Sequence, residues 1–209
     1  MARKPARHPT RRATAKRAPR PKKLKLVTTT MEMREPQHRP AALPLGIKVA
    51  LLRAETPTVS YYRYLYNTVG APAFWCARRT LDDAALGALV ADPQIELYVL
   101  YVGGVPAGFA ELDLRQGTEI ELAHFGFVPE FVGAGLTDYL LGWAVGEAWR
   151  RAPERLWVAT TNFDHPTVLA AYQKVGFRAV SQETRMIADP RATGLLPKDV
   201  AVSRAALGG

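Results

Sequence analysis

The chain has 209 residues, about the length of one domain, and is 48% hydrophobic and 22% charged. This composition is typical of globular proteins and excludes a wholly disordered chain. A single cysteine, Cys76, excludes an intrachain disulfide framework and a zinc site built from cysteines. No stretch approaches the roughly 18 apolar residues of a membrane helix, and the basic N-terminal residues are not followed by the apolar run of a secretory signal. We therefore expect a soluble, cytoplasmic protein without membrane contact.

The net charge of +9 is concentrated at the N-terminus. Residues 1–26 contain eleven Lys and Arg and no acidic residue, whereas the remaining residues contain 17 basic and 19 acidic side chains. Residues 1–23 also contain four prolines and few apolar side chains, so we expect a disordered basic tail. The tail could contact nucleic acid phosphates, resemble an organelle transit peptide or simply be solvated.

The first half of the chain alternates strand and helix patterns. Residues 24–34 and 46–53 are β-branched or apolar and predict two strands, separated by a proline-rich connection. Residues 58–68 predict a helix that Gly70 and Pro72 end, and residues 81–90 predict another. A helical stretch with Trp75, Arg78 and Arg79 is expected between them. The four tyrosines of the first helix could line an acceptor pocket or only pack against the core.

The second half contains the clearest hairpin. Residues 95–115 predict two strands joined by a tight turn at Gly103-Gly104. Strands follow at 119–128, 155–161 and 182–187, with helices after residue 135 and between Pro166 and Gly176. The order predicts a mixed α/β (α+β) fold, in which helices cover both faces of one sheet.

A glycine-bearing turn leads from a strand into a helix. Residues 130–135 read EFVGAG and follow Val128-Pro129. Such a turn directs several backbone N–H groups at one point, close to the positive end of the helix dipole, and this arrangement suits a pyrophosphate. Taken alone, the pattern is equally typical of an ordinary strand-to-helix turn.

A second segment some forty residues later, residues 171–177, reads AYQKVGF. With the two segments in this order, the chain resembles the GCN5-related N-acetyltransferase (GNAT) superfamily: EFVGAG is similar to motif A, Q/R-x-x-G-x-G/A, and AYQKVGF to motif B. The resemblance covers residues 95–187 well and residues 24–94 in outline. It implies a GNAT domain over residues 24–188, with residues 189–209 as a C-terminal extension. It also implies a central mixed sheet in which two parallel strands, 119–128 and 155–161, splay apart around acetyl-CoA.

The resemblance implies a set of residues that bind acetyl-CoA. Phe127 and Val128 would pair with the pantetheine arm and polarise the thioester carbonyl, and a backbone donor of this kind contributes about 3 kcal/mol at other acyl-transfer sites. His165 stands where the family often has a CoA-contacting Asn, although it could equally be a helix-entry residue before Pro166. Glu130 replaces the usual Gln or Arg and places an anion near the phosphates. The pyrophosphate would be held by the backbone amides of Val132, Gly133, Ala134, Gly135, Leu136 and Thr137.

The resemblance also implies two catalytic residues. Tyr172 occupies the position of the motif B tyrosine that protonates the leaving thiolate, and the alternative is a half-buried core tyrosine. Glu121 would accept the proton of the amine directly or through water, unless Glu119 and Glu121 only face solvent or orient the substrate. His124 lies on the opposite face of an ideal strand, but a β-bulge would shift that register.

These observations predict an N-acetyltransferase that transfers an acetyl group from acetyl-CoA to a primary amine by direct attack. The acceptor could be a small amine, an amino acid, a peptide N-terminus or a protein lysine. Two alternatives are a non-catalytic acyl-CoA-binding module and a nucleic-acid-associated protein that acts through residues 1–23. We expect no metal, since the four histidines show no ligand spacing: His8, His38, His124 and His165.

Overall fold

The computed structural model describes residues 22–36, 42–43 and 46–201. The predicted basic tail, except for Lys22 and Lys23, lies outside these residues, as do His8 and His38. The strands are β1 Lys23–Met33, β2 Val49–Ala54, β3 Ile95–Val102, β4 Val105–Gln116, β5 Glu119–Phe127, β6 Arg155–Thr161 and β7 Arg178–Ala188. The α-helices are α1 Val59–Gly70, α2 Asp83–Val90, α3 Thr137–Trp149 and α4 Val168–Lys174, and short 3-10 helices span Ala77–Thr80 and Pro129–Phe131.

All seven strands form one sheet in the order β2-β3-β4-β5-β6-β1-β7. Every neighbouring pair is antiparallel except β5 and β6, which are parallel. The predicted mixed α/β architecture is thus confirmed. The sequence did not predict that the first strand would insert between β6 and the last strand, where it pairs along most of its length with both.

The parallel strands β5 and β6 are paired only at their N-terminal ends. Residues 119–121 of β5 face residues 155–157 of β6, and no further pairs follow. Beyond Glu121 and Trp157 the two strands diverge and leave a gap in the sheet. This is the splay that the family resemblance implied.

The two faces of the sheet have separate hydrophobic cores. On one face, α3 buries Leu140, Leu141 and Ala144 against Leu112 and Leu122, and Tyr172 belongs to the same cluster. On the other face, α1 and α2 bury Tyr62, Leu65 and Leu86 against Leu97, Val99 and Phe109. The gap between β5 and β6 is therefore bounded by two layers of different composition.

Several predicted boundaries differ from the structure. The helical stretch expected around Trp75 is reduced to the 3-10 turn Ala77–Thr80, because Phe74 has a φ of +58° and so interrupts any helix that precedes it. Pro166 does not begin a helix, since α4 starts at Val168, whereas Gly176 does end it with a φ of +110°. The last strand starts four residues before the predicted position.

Residues 189–201 pack against the domain. Leu196 is buried with Phe74 and Phe163 in a third hydrophobic cluster. Arg191 pairs with Asp189 at 2.8 Å and stacks over the ring of Phe74 at 5.1 Å. The described part of the C-terminal extension consequently packs onto the rest of the protein through Leu196 and Arg191. Within the described residues, no helix is long and apolar enough to cross a membrane.

Candidate functional site

A β-bulge on β5 determines which side chains reach the gap. His124 pairs with Glu111 and Glu121 pairs with Asp113, so β5 has one more residue than β4 between these two pairs, and the irregularity falls at Ala123. Residues two apart on β4 point to the same face, and directly paired residues share a face. The bulge therefore brings His124 onto the face of Glu121, which an ideal strand would not do.

The C-terminal half of β5 exposes backbone groups to the gap. The amide of Val128 donates to the carbonyl of Ala107 at 2.9 Å, so this amide is already used within the sheet. Because antiparallel ladders alternate, the amides of Phe125 and Phe127 point away from β4 and towards the gap. Of the two residues predicted to contact the pantetheine arm, Phe127 directs its amide away from β4 and towards the gap, whereas Val128 contributes a buried side chain.

The glycine turn before α3 has the geometry of an anion site. Gly133 and Gly135 have φ values of +83° and +76°, and a Cβ at either position would meet nothing within 4 Å. The space beside both glycines is therefore open, and their conformation is one that other residues rarely adopt. The amides of Gly133, Gly135, Leu136 and Thr137 donate no hydrogen bond to other described residues. The amides of Val132 and Ala134 differ, since they donate to the carbonyls of Pro129 at 3.3 Å and Phe131 at 3.2 Å.

Acidic side chains lie beside the same turn. Glu130 lies in the 3-10 turn that precedes it, and Asp138 lies in the first turn of α3. Lys174 at the end of α4 pairs with Asp138 at 2.5 Å and offsets one of the two negative charges. The backbone amides thus remain the groups that could hold a pyrophosphate, together with the helix dipole.

Tyr172 projects from α4 towards the gap. Its side chain is 4% exposed and packs against Phe125 and Phe177, with ring centroids 6.2 and 5.7 Å apart. Its hydroxyl has no hydrogen-bond partner in the described parts of the chain. Burial, with a smaller contribution from the charge of Asp164, raises the pKa of Tyr172, so the phenol stays protonated at neutral pH.

His124 lies on the opposite side of the gap from Tyr172. Its ring packs edge-on against Tyr66 and Trp75 at centroid distances of 5.0 and 4.9 Å. Its Nδ1 atom is buried and lies 3.3 Å from Oε1 of Glu111, close enough for an ion pair but too far off line for a hydrogen bond. This carboxylate favours a proton on Nδ1, which leaves the lone pair of Nε2 facing the gap.

Glu111 is a fully buried carboxylate held by three side chains. Arg78 donates to Oε1 at 2.9 Å, and the hydroxyl of Tyr62 donates to Oε2 at 2.5 Å. Burial alone would raise the pKa of Glu111, but the interaction with His124, the charge of Arg78 and the hydrogen bond from Tyr62 outweigh it and lower the pKa to about 2. Glu111 is therefore ionised at neutral pH and provides a fixed negative charge behind the imidazole.

Glu121 lies on the same face of the sheet as His124, but at the last position where β5 still pairs with β6, and so further from the gap. It is half-buried and has neither an ion-pair nor a hydrogen-bond partner among the described residues. Burial raises its pKa, the nearby charge of Asp113 raises it further, and His124 and Arg78 act in the opposite direction. The structure therefore keeps a carboxylate of increased basicity close to His124.

The gap opens into a cavity of about 530 Å³. Tyr172 and His124 both line it, whereas Glu121 and His165 do not. His165 is exposed, and its Nδ1 atom lies 2.8 Å from Oγ1 of Thr167 before α4, which fits the helix-entry alternative. Tyr66 is the tyrosine of α1 that lines the cavity, while Tyr62 contacts Glu111 instead.

Trp75 packs over the cavity against Gly70, the last residue of α1. A Cβ at Gly70 would lie 2.3 to 2.7 Å from atoms of Trp75, so only glycine allows the indole to pack there. The indole Nε1 donates to Asp164 at 3.4 Å, and burial raises the pKa of Asp164. Sequence reasoning did not connect Asp164 and Glu111 with the site, because they lie far apart in the chain and match no motif.

Comparison with known proteins gives the same fold. A family model described as the acetyltransferase (GNAT) family matches residues 59–177. A GCN5-related N-acetyltransferase from Sphaerobacter thermophilus is 15% identical, with a TM-score of 0.57 over 81% of this chain and 54% of that chain. A functionally unknown conserved protein from Staphylococcus epidermidis is 16% identical, with a TM-score of 0.52 over 79% of this chain and 62% of that chain.

An IAA acetyltransferase from Bacillus cereus is 24% identical, with a TM-score of 0.50 over 64% of this chain and 79% of that chain. No curated protein gives a significant match. The chain therefore spans only a little more than half of the Sphaerobacter protein and 62% of the Staphylococcus protein. At these identities the structures establish a shared fold.

Proposed function

Because the chain belongs to the GNAT family of acetyltransferases, we propose that it transfers the acetyl group of acetyl-CoA to a primary amine by direct attack in a ternary complex. The observation that carries this proposal is the gap between β5 and β6. It joins a cavity that receives Tyr172 from one face of the sheet and His124 from the other. A donor and an acceptor of protons thus lie on opposite sides of one cavity.

The residues present fit acetyl-CoA. Four amides of the turn, those of Gly133, Gly135, Leu136 and Thr137, donate to no other described residue, and the pyrophosphate would bind beside them in the open space next to the glycines. The amides of Phe125 and Phe127 face the gap, where they would pair with the pantetheine arm and donate to the thioester oxygen as negative charge develops on it. Acetyl-CoA supplies an activated acetyl thioester, whose carbon–sulfur bond breaks as the amine nitrogen bonds to the acetyl carbon.

Two proton transfers accompany that exchange. His124 accepts the proton of the attacking amine at Nε2, while the ionised Glu111 stabilises the resulting imidazolium. Tyr172 donates its proton to the departing thiolate, since burial keeps the phenol protonated. Glu121 then accepts the proton from His124. Its carboxylate has no partner among the described residues and lies on the same face of the sheet as His124.

The test is release of free CoA thiol from acetyl-CoA by the full-length protein, with a panel of primary amines as acceptors. Amine-dependent thiol release, with equal amounts of acetylated amine by mass spectrometry, supports the proposal. Binding of CoA without thiol release for any amine would instead support the non-catalytic acyl-CoA-binding alternative. A parallel reaction with secondary and tertiary amines of similar size serves as the control for the acceptor nitrogen.

A further inference from the structure

The polar groups of the cavity are gathered at one end. Among the described residues that line it, Asp164 is the one carboxylate and His124 the one imidazole. Trp75 lies between them: its ring centroid is 4.9 Å from that of His124, and its Nε1 donates to Oδ1 of Asp164 at 3.4 Å. Tyr172 lines the cavity as well, and its pKa responds to the charge of Asp164. This end is therefore the place for a reacting amine.

Asp164 has one oxygen available for a cation. Its Oδ2 accepts hydrogen bonds from Oγ1 of Thr160 at 2.8 Å and from the amide of Thr161 at 2.6 Å. From the described part of the chain, its Oδ1 accepts the long bond from Trp75 and no other. A carboxylate oxygen and an indole face together attract an ammonium group through charge and cation–π interaction.

The rest of the cavity is apolar. Phe74 and Phe163 stack at 4.9 Å and form one wall with Leu26, Ile187 and Leu195. Arg191 lies behind Phe74, does not line the cavity and is already paired with Asp189. Among the described residues of this wall, a second charged group on a ligand would find no partner, and burying a charge without a partner is strongly unfavourable.

Three of the five residues of the apolar wall come from parts of the chain beyond the GNAT family match, whereas Phe74 and Phe163 lie within it. Leu26 belongs to β1, Ile187 to β7 and Leu195 to the C-terminal segment, whereas the matched region is residues 59–177. The polar end, with Trp75, His124 and Asp164, lies inside that region. The apolar wall is thus assembled partly from segments that the family model does not cover.

We propose that the acceptor is a small primary amine with an apolar aliphatic or aromatic body and no second charged group. Its nitrogen lies at the end formed by His124, Trp75 and Asp164, and its body packs against Phe74 and Leu195. This inference rests on the proposed acetyl transfer and specifies its substrate class. Aminosugars, polyamines and protein lysines are poor acceptors in this account, because each would bring polar or charged groups against the apolar wall.

The decisive comparison uses two amines of equal length, pentylamine and 1,5-diaminopentane, which differ by one distal amino group. We expect kcat/KM for pentylamine to exceed that for 1,5-diaminopentane by about 100-fold, because the distal ammonium would lie against the apolar wall and lose part of its hydration. 2-Phenylethylamine should react at least as well as pentylamine. Comparable or higher kcat/KM for 1,5-diaminopentane, glucosamine or a lysine peptide would overturn the proposal while leaving acetyl transfer intact.

A matched pair of variants tests whether the apolar body of the amine packs against Leu195. Leu195→Asn places an amide on the apolar wall and should raise KM for pentylamine about tenfold, with kcat and CoA affinity unchanged. Leu169→Asn makes the same change at an exposed leucine outside the cavity and should alter none of these values. Equal effects of the two variants, or no effect of Leu195→Asn, would contradict the assigned wall.

Binding separates this inference from the acetyl transfer on which it rests. If no amine is acetylated, calorimetric titration of the CoA-bound protein with the same two amines still decides between them. Tighter binding of pentylamine than of 1,5-diaminopentane, abolished by Leu195→Asn, would support the apolar cavity even if the proposed function failed. Equal binding, or no binding of either amine at millimolar concentration, would overturn the inference.

Discussion

The imidazole Nδ1 of His124 lies 3.3 Å from Oε1 of Glu111, a carboxylate with no exposed side-chain surface. The contact exists because the bulge at Ala123 turns His124 onto the face of its partner on β4. A buried ion pair contributes little to stability unless its other atoms are satisfied, and Arg78 and Tyr62 satisfy those of Glu111. The arrangement thus holds an imidazole in one orientation at the edge of the cavity.

Two substitutions separate the catalytic from the structural role of His124. His124→Asn keeps an amide near the position of Nδ1 and so can still contact Glu111, but it has no atom at the position of Nε2. We expect kcat to fall about 100-fold with little change in thermal stability, because only the proton acceptor is lost. His124→Gln should lose a similar amount of kcat and also unfold at a lower temperature, since Glu111 loses a partner.

Steady-state kinetics and thermal unfolding of both variants test this assignment. Added imidazole should restore part of the activity of His124→Asn. A purely structural role would be indicated if the loss of activity followed the loss of thermal stability in the two variants.

Glu121 should affect the pH dependence more than the maximal rate. Burial raises its pKa, so the protonated, inactive carboxyl persists at pH values above the usual 4.5. We therefore expect the acid-side decline of kcat/KM to be less steep in Glu121→Gln, whose rate falls only about tenfold because the direct proton acceptor His124 is retained. An unchanged pH profile in Glu121→Gln would remove Glu121 from the mechanism.

Glu111 should make the protein sensitive to acid. Its pKa in the folded protein is lowered to about 2 from 4.5, so its stabilising contribution is present above pH 4.5 and is lost as the pH falls towards 2. In Glu111→Gln, the free energy of unfolding should depend on pH less steeply over this interval, by up to about 1.4 kcal/mol per pH unit. Urea denaturation between pH 2.5 and 5 measures this difference, and identical slopes would contradict the ionised state of Glu111.

Tyr172→Phe removes one hydroxyl from a well-packed ring. We expect kcat to fall about 100-fold while the affinity for CoA stays within about twofold, because the ring contacts with Phe125 and Phe177 remain. The raised pKa of Tyr172 also predicts no decline of kcat from ionisation of this phenol up to pH 10. Single-turnover kinetics test both statements, and an undiminished rate would show that Tyr172 only packs.

Local patterns were sufficient to predict much of the fold. Alternation and a Gly-Gly turn predicted the hairpin of β3 and β4, and Gly103 and Gly104 have positive φ values of +58° and +91° as that turn requires. The two motifs correctly identified the family and the strands that splay. These features depend on residues that are neighbours in sequence.

The remaining features depend on distant contacts. The bulge at Ala123 follows no sequence signal, so the face of His124 could not be predicted from alternation. Glu111 lies in a strand whose pattern does not reveal which carboxylates are buried, and its partner Arg78 comes from a 3-10 turn that the sequence predicted as helix. The insertion of β1 between β6 and β7 likewise depends on tertiary contacts, and no local sequence pattern encodes it.

Calorimetric titration of the full-length protein with acetyl-CoA tests the central claim most directly, with acetyl-pantetheine, which lacks the pyrophosphate, as the comparison. The turn of residues 132–137 predicts micromolar affinity for acetyl-CoA, weaker binding of acetyl-pantetheine, and a difference between the two that decreases with salt. No heat and no competition at millimolar acetyl-CoA would mean that the turn binds no pyrophosphate, and the acetyltransferase account would be wrong.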